Sequence, residues 1–199
     1  MNRVFRTSVM VLALGIAISS CKKDDANPAK PNNPGAGDEE VITTVKLHFT
    51  NASDTTDHRH YRWYDADGSG SGNPVIDSIV LKPSTTYNVE VEVLDQTKTP
   101  AKDIAEEIKE EANYHRFHYT FTPAQGSTAT SVTTSITDLD TQTPPQPLGL
   151  RFSAASGASV GNGTFNISLR HFANNSTKTN VATDGESDLD IDFRLVVKP

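Results

Sequence analysis

From Val41 to the C-terminus, apolar residues recur at every second position. Val45, Leu47 and Phe49 alternate with Lys46 and His48, and Tyr87, Val89, Val91 and Val93 with Asn88, Glu90 and Glu92. Phe165, Ile167 and Leu169 alternate with Asn166, Ser168 and Arg170. Leu189, Ile191, Phe193 and Leu195 alternate with Asp190, Asp192 and Arg194. A period of two sends successive side chains to opposite faces of a strand, so each stretch reads as an antiparallel strand with one buried and one wet face. The same reading places strands over residues 58–65, 75–81, 114–121, 129–136 and 148–154. Turn-rich pieces such as DADGSGSGNP and SGASVGNGT separate them. Eight or nine short strands predict an all-β domain over 41–199, an antiparallel β-sandwich of the immunoglobulin or fibronectin kind.

One segment departs from this period. Over residues 100–113, Ala101, Ile104, Ala105, Ile108 and Ala112 recur at intervals of three and four, which is a helical stripe. Thr99 suits an N-cap and Pro100 the first helical position. Asp103, Glu106, Glu107, Glu110 and Glu111 make the outward face acidic. A short acidic helix covering an edge or open end of the sandwich is expected.

The N-terminus carries an address. Arg3 and Arg6 precede an apolar run from Val9 to Ile18, too short to span a bilayer but suited to a secretory signal. Ile18-Ser19-Ser20-Cys21 resembles the lipobox of bacterial lipoproteins, which implies cleavage after residue 20 and a diacylglycerol on Cys21. Lys22-Lys23-Asp24-Asp25 resembles the lysine–acid export signal of Bacteroidota lipoproteins. That implies the outer membrane and the cell surface, held there by the acyl chains. Residues 26–40 carry Pro, Gly, Asn and charge with no large side chain to bury, so 21–40 reads as an acylated flexible tether.

Two further resemblances bear on the domain. Leu81-Lys82-Pro83-Ser84-Thr85-Thr86-Tyr87-Asn88-Val89 resembles the fibronectin type III corner, in which a tyrosine hydroxyl bonds back to the chain. Asp65-Ala66-Asp67-Gly68, the acidic helix running into Tyr114-His115, and Leu169-Arg170-His171 together resemble a family of small Bacteroidota lipoproteins of uncharacterised function. Some of these carry the label "type 1 periplasmic binding fold". That label implies a two-lobed α/β protein, for which this chain has neither the length nor the helices.

The chain is acidic, with a net charge of −7, and lacks the basic stripe that nucleic acid requires. A single cysteine excludes an intramolecular disulfide and a multi-cysteine metal site. Six histidines are the chemistry-bearing residues that remain. His115 falls in step with Phe117, Tyr119 and Phe121, and His171 with Phe165, Ile167 and Leu169. Both imidazoles thus sit on apolar stripes, where a buried ring needs a partner. They are the leading candidates for ligands to a divalent transition metal, with Glu110 or Glu111 supplying a carboxylate; core histidines satisfied by backbone or tyrosine hydroxyls are the alternative. His118 points to the opposite face from His115. His58 and His60, two apart, share a face and form a weaker two-ligand candidate, their alternative being an exposed polar face beside Arg59 and Arg62. Asp65 and Asp67 begin a partial calcium-loop pattern, but Ile76 stands where an EF-hand needs its glutamate, and a plain hairpin loop explains the same residues.

Gly157-Ala158-Ser159-Val160-Gly161 matches the nucleophile-elbow string without the strand–turn–helix context, and reads as a glycine-rich turn. No phosphate loop, dinucleotide fingerprint or zinc-protease motif occurs, so no enzyme is expected. Two functions remain. In the first, a lipoprotein domain captures a metal ion or metal complex for an outer-membrane transporter. In the second, it is an adhesion or structural module that binds protein or glycan through an aromatic surface of Tyr61, Trp63 and Tyr64.

Overall fold

The computed structural model describes residues 41–199, apart from 67–72, 128–130 and 176–177. The segment read as a leader (1–20), Cys21, Lys22, Lys23, Asp24, Asp25, the rest of the segment read as a tether, and Asp67 lie outside the described residues.

Within them, the alternation becomes the facing surfaces of two sheets. β1 (Thr44–Asn51) pairs antiparallel with β2 (Asp54–Tyr64) and β5 (Thr86–Asp95). β3 (Val75–Ile76) adds to β2, while β9 (Arg151–Ser156) and then β8 (Val132–Ile136) extend the sheet beyond β5. β6 (Lys102–Asp103) pairs with the last residues of β5. The second sheet runs in the order β4 (Ile79–Leu81), β11 (Glu186–Val197), β10 (Gly161–His171), β7 (His115–Pro123). Its pairings are antiparallel except β4 with β11.

Every alternating apolar set named above points inward. Val45, Leu47, Phe49, Tyr87, Val89 and Val93 of the first sheet join Phe165, Ile167, Leu169, Leu189, Phe193 and Leu195 of the second in one core. The sheets meet through aromatic rings, Tyr119 of β7 stacking on Phe152 of β9 with centroids 3.9 Å apart. Burying one such large side chain stabilises the fold by roughly 1.5–3 kcal/mol, so the stripes supply the driving force for stacking. The protein is therefore a β-sandwich, as the period-two pattern predicted.

Tyr87 is fully buried and its hydroxyl accepts the Lys82 N–H at 3.1 Å. The glycine-rich stretch 157–160 is a turn from β9 into β10, with no helix following Ser159.

The helix differs from the expectation. α1 spans Ile104–Glu110 and starts four residues later than predicted. Lys102 and Asp103 instead pair with Asp95 and Leu94, which holds them extended. Asp103, in β conformation, is the N-cap, its carboxylate accepting the Ala105 N–H at 2.9 Å. Ile104, Ala105 and Ile108 face the core as expected, whereas Ala101 is exposed.

The aromatic surface also needs correction. Tyr61 and Trp63 are buried, and the Tyr61 hydroxyl both donates to the Val80 carbonyl and accepts its N–H, tying β2 to β4 across the sandwich. Only Tyr64 keeps partial exposure, with the Arg62 guanidinium 5.2 Å above its ring. Strict alternation along β2 sends Tyr61 and Trp63 inward and leaves Arg62 and Tyr64 on the other face.

Candidate metal centre

β7 begins and β10 ends at the same end of the second sheet, and register places His115 directly opposite His171. Both continue the inward stripe of their strands, so both are buried, at 2% and 9% exposure. Their rings stack with centroids 4.7 Å apart and planes 25° from parallel.

The end of α1 supplies the third member. Glu111 caps the helix and its N–H reaches the Glu107 carbonyl. The last carbonyls of a helix lack partners within it and carry the negative end of its dipole. The Glu111 carbonyl accordingly accepts the Tyr114 N–H at 2.8 Å and the His115 Nδ1–H at 3.2 Å. A carbonyl can only accept, so Nδ1 bears the proton and Nε2 the lone pair, the tautomer a metal requires.

A β-bulge brings in a fourth group. Leu169 pairs with Leu189 and Arg170 with Ser187, so Asp188 is one residue too many on β11. Without the extra residue, alternation would send Asp188 outward with Asp190 and Asp192. The bulge re-aims it, a common role for bulges beside functional sites. Its Oδ2 lies 3.7 Å from His115 Nε2.

One donor atom from each of Glu111, His115 and His171 lies within 4.8 Å of the others. His171 Nε2 is buried with no hydrogen-bond partner among the described residues. Tetrahedral zinc with bonds of about 2.0–2.1 Å separates its donors by about 3.3 Å, so donors lying within 4.8 Å of one another close by at most about 1.5 Å to take an ion. Burial pushes the His115 imidazole down to about 4, and the neighbouring His171 and Lys178 add to the effect. The ring is thus neutral at pH 7 and needs no deprotonation before it binds.

The surroundings hold these groups in place. Lys178, whose side chain is wholly buried, donates to the Ala112 carbonyl at 2.8 Å and to Asp140 Oδ2 at 2.7 Å. Burial lowers the Lys178 ammonium, and the Asp140 carboxylate opposes that shift. Phe172 N–H reaches the Tyr114 carbonyl at 2.8 Å. Gly185 has φ +81°, and a Cβ there would lie 2.7 Å from the His171 carbonyl, so a glycine lets the chain return past the site.

Of the carboxylates weighed from the sequence, Glu111 joins the cluster and Glu110 stays exposed. His118 does lie on the opposite face from His115, but beneath other residues at 8% exposure, its imidazole pushed down to about 4 by burial and by Arg116 and Arg170. Asp65 is buried at the end of β2, with its N–H on the Thr43 carbonyl. Asp188, Lys178 and Asp140 carried no signal in the sequence, because a bulge and two long-range contacts bring them in.

His58 and His60 share the outer face of β2, as their spacing predicted, and the structure adds His48. It sits on β1 opposite His60, with the two Nδ1 atoms 2.6 Å apart. His48 Nε2 lies 3.2 Å from Glu92 Oε2, while Lys46 Nζ holds Glu92 Oε1 at 2.8 Å.

Fold and site together define a β-sandwich protein with a buried histidine–carboxylate cluster. Among known proteins, no family model, no curated protein and no solved structure matches the chain significantly.

Proposed function

We propose that this chain is a non-enzymatic, lipid-anchored binding module of the outer membrane and cell surface, which holds a divalent transition-metal ion at Glu111, His115 and His171. The observation that carries this reading is the meeting of three ligand-type side chains from the C-cap of α1, from β7 and from β10, the two histidines buried and Glu111 half-buried. One imidazole there has its Nδ1–H fixed by a carbonyl, and the other has a buried nitrogen with no hydrogen-bond partner among the described residues. Imidazole and carboxylate donors suit zinc, copper or nickel better than calcium or magnesium. Asp188 beside His115 adds a second carboxylate that could ligate or orient the ring. Acylation at Cys21 and export through Lys22 to Asp25 would put the domain where a metal could pass to an outer-membrane transporter. The adhesion reading loses its main support, since Tyr61 and Trp63 are spent on the core.

The test is thermal unfolding of the purified protein with zinc, copper or nickel and with chelator. An ion binding only the native state adds RT ln(1 + [L]/Kd), about 2.7 kcal/mol at a hundredfold excess over Kd, which is a rise of several degrees. The double change His115→Ala and His171→Ala should abolish its share of that rise. A double variant that responds to metal as the wild type does rejects the buried site.

A further inference from the structure

We propose that the outer face of the first sheet carries a second, solvent-open site for a divalent transition metal, with His48, His58 and His60 as ligands and Glu92 positioning His48. The site is distinct from the buried cluster, which lies at the end of the other sheet.

Two rules of strand geometry assemble it. His58 and His60, two apart on β2, project from one face about 7 Å apart at their Cα atoms. The antiparallel register then sets His48 against His60 and Thr50 against His58, so a third imidazole stands on the neighbouring strand, beside His60 and diagonal to His58. As they stand the three rings do not bring one nitrogen each within 4.8 Å of one another, so the exposed His58 must swing in to complete the set. The rings are close, with centroids 4.6 Å apart for His48 and His60 and 5.9 Å for His58 and His60. They line a surface concavity of about 600 Å³ together with Glu90 and Glu92.

Tautomer logic points the nitrogens the right way. The Glu92 carboxylate can only accept, so His48 Nε2 carries the proton of the 3.2 Å contact. In the neutral ring that leaves Nδ1 bare and aimed at His60, whose own Nδ1 is 2.6 Å away. Without an ion, His60 must donate its Nδ1 proton into that gap. With one, both nitrogens face the ion as ligands after parting to about 3.3 Å, the spacing set by metal–nitrogen bonds of about 2.0–2.1 Å. His60 and His58 are exposed, so their rings can make that movement without disturbing the core. Carboxylate, imidazole and ion in sequence is the usual arrangement that holds a ligating histidine. Lys46 does not oppose the ion at close range, because its ammonium is paired with the other oxygen of Glu92.

Three imidazoles select zinc, copper(II) or nickel(II) over calcium and magnesium. Three protein ligands leave a fourth position to water or to an incoming ligand, and the concavity opens to solvent. The ion here exchanges readily, whereas one at the buried cluster is enclosed.

The experiment is calorimetric titration of the metal-free full chain with nickel and with zinc, alongside the imidazole NMR signals. The wild type should bind an equivalent that His48→Ala with His60→Ala weakens at least a hundredfold, with melting of the metal-free protein unchanged. Glu92→Gln should weaken it about tenfold, the effect of losing a carboxylate that orients a ligating histidine. Nickel should broaden the ring signals of His48, His58 and His60 first. The His115→Ala and His171→Ala double variant should keep this equivalent, so loss of either site reads separately from loss of the other. Equal affinity in wild type and His48→Ala, or nickel broadening that spares His60, overturns the proposal.

Discussion

Acidification should begin to destabilise this protein below about pH 6.5, and His115 is one of two residues that carry the effect. Its imidazole is 2% exposed and pushed down to about 4, against an ordinary value of 6.5. Between those values the unfolded chain binds a proton that the native protein refuses. Stability is therefore full above about 6.5 and falls with pH until His115 itself protonates near 4. One proton of difference costs about 1.4 kcal/mol per pH unit, so a drop from pH 6.5 to 5 removes about 2 kcal/mol. His118, also pushed to about 4, contributes a similar amount, for about 4 kcal/mol together. That is a large share of the 5–15 kcal/mol typical of a domain. The carboxylates held below their ordinary range, such as Asp57, Asp95 and Asp140, titrate below this window and leave it clean. The assay is urea unfolding with chelator at half-unit steps from pH 6.5 to 5, for wild type, His115→Gln and the double variant with His118→Gln. Each replacement should flatten the pH dependence by about 1.4 kcal/mol per unit, whatever it does to absolute stability. Unchanged slopes would refute the reasoning. So would a His115 ring titrating above 6.5, which would mean that Asp188, 3.7 Å away, holds it as an imidazolium.

Two other outcomes follow from the structure and a third from the sequence. Asp140→Asn leaves the wholly buried Lys178 ammonium without its carboxylate and should cost about 3–5 kcal/mol in urea unfolding, while the paired change with Lys178→Met should recover much of it. Gly149→Ala, at φ +106° with a Cβ that would come within 2.6 Å of Phe117 Cβ, should destabilise by at least about 2 kcal/mol, seen as a fall in Tm. Cys21→Ala should release the protein from the membrane fraction and abolish fatty-acid labelling; a variant that stays membrane-bound, with a wild type that takes no label, overturns the lipoprotein reading.

Much of the architecture was legible because parity along a strand is a local property. Val45, Leu47 and Phe49 could only share a face, and so could Phe165, Ile167, Leu169 and His171. The same rule put His115 inside and His58 with His60 on one surface. It also separates Tyr61 and Trp63, which point inward, from Tyr64 on the outer face, so three aromatics close in sequence do not make one patch. Which strand lies beside which is not local, and that is where tertiary structure decided. Register set His171 against His115 and His48 against His60. A single bulge turned Asp188 out of the wet series and toward His115, and pairing with β5 delayed the start of α1. The period of a strand says which face a side chain takes, but only the packing of the whole chain chooses the neighbour it meets there.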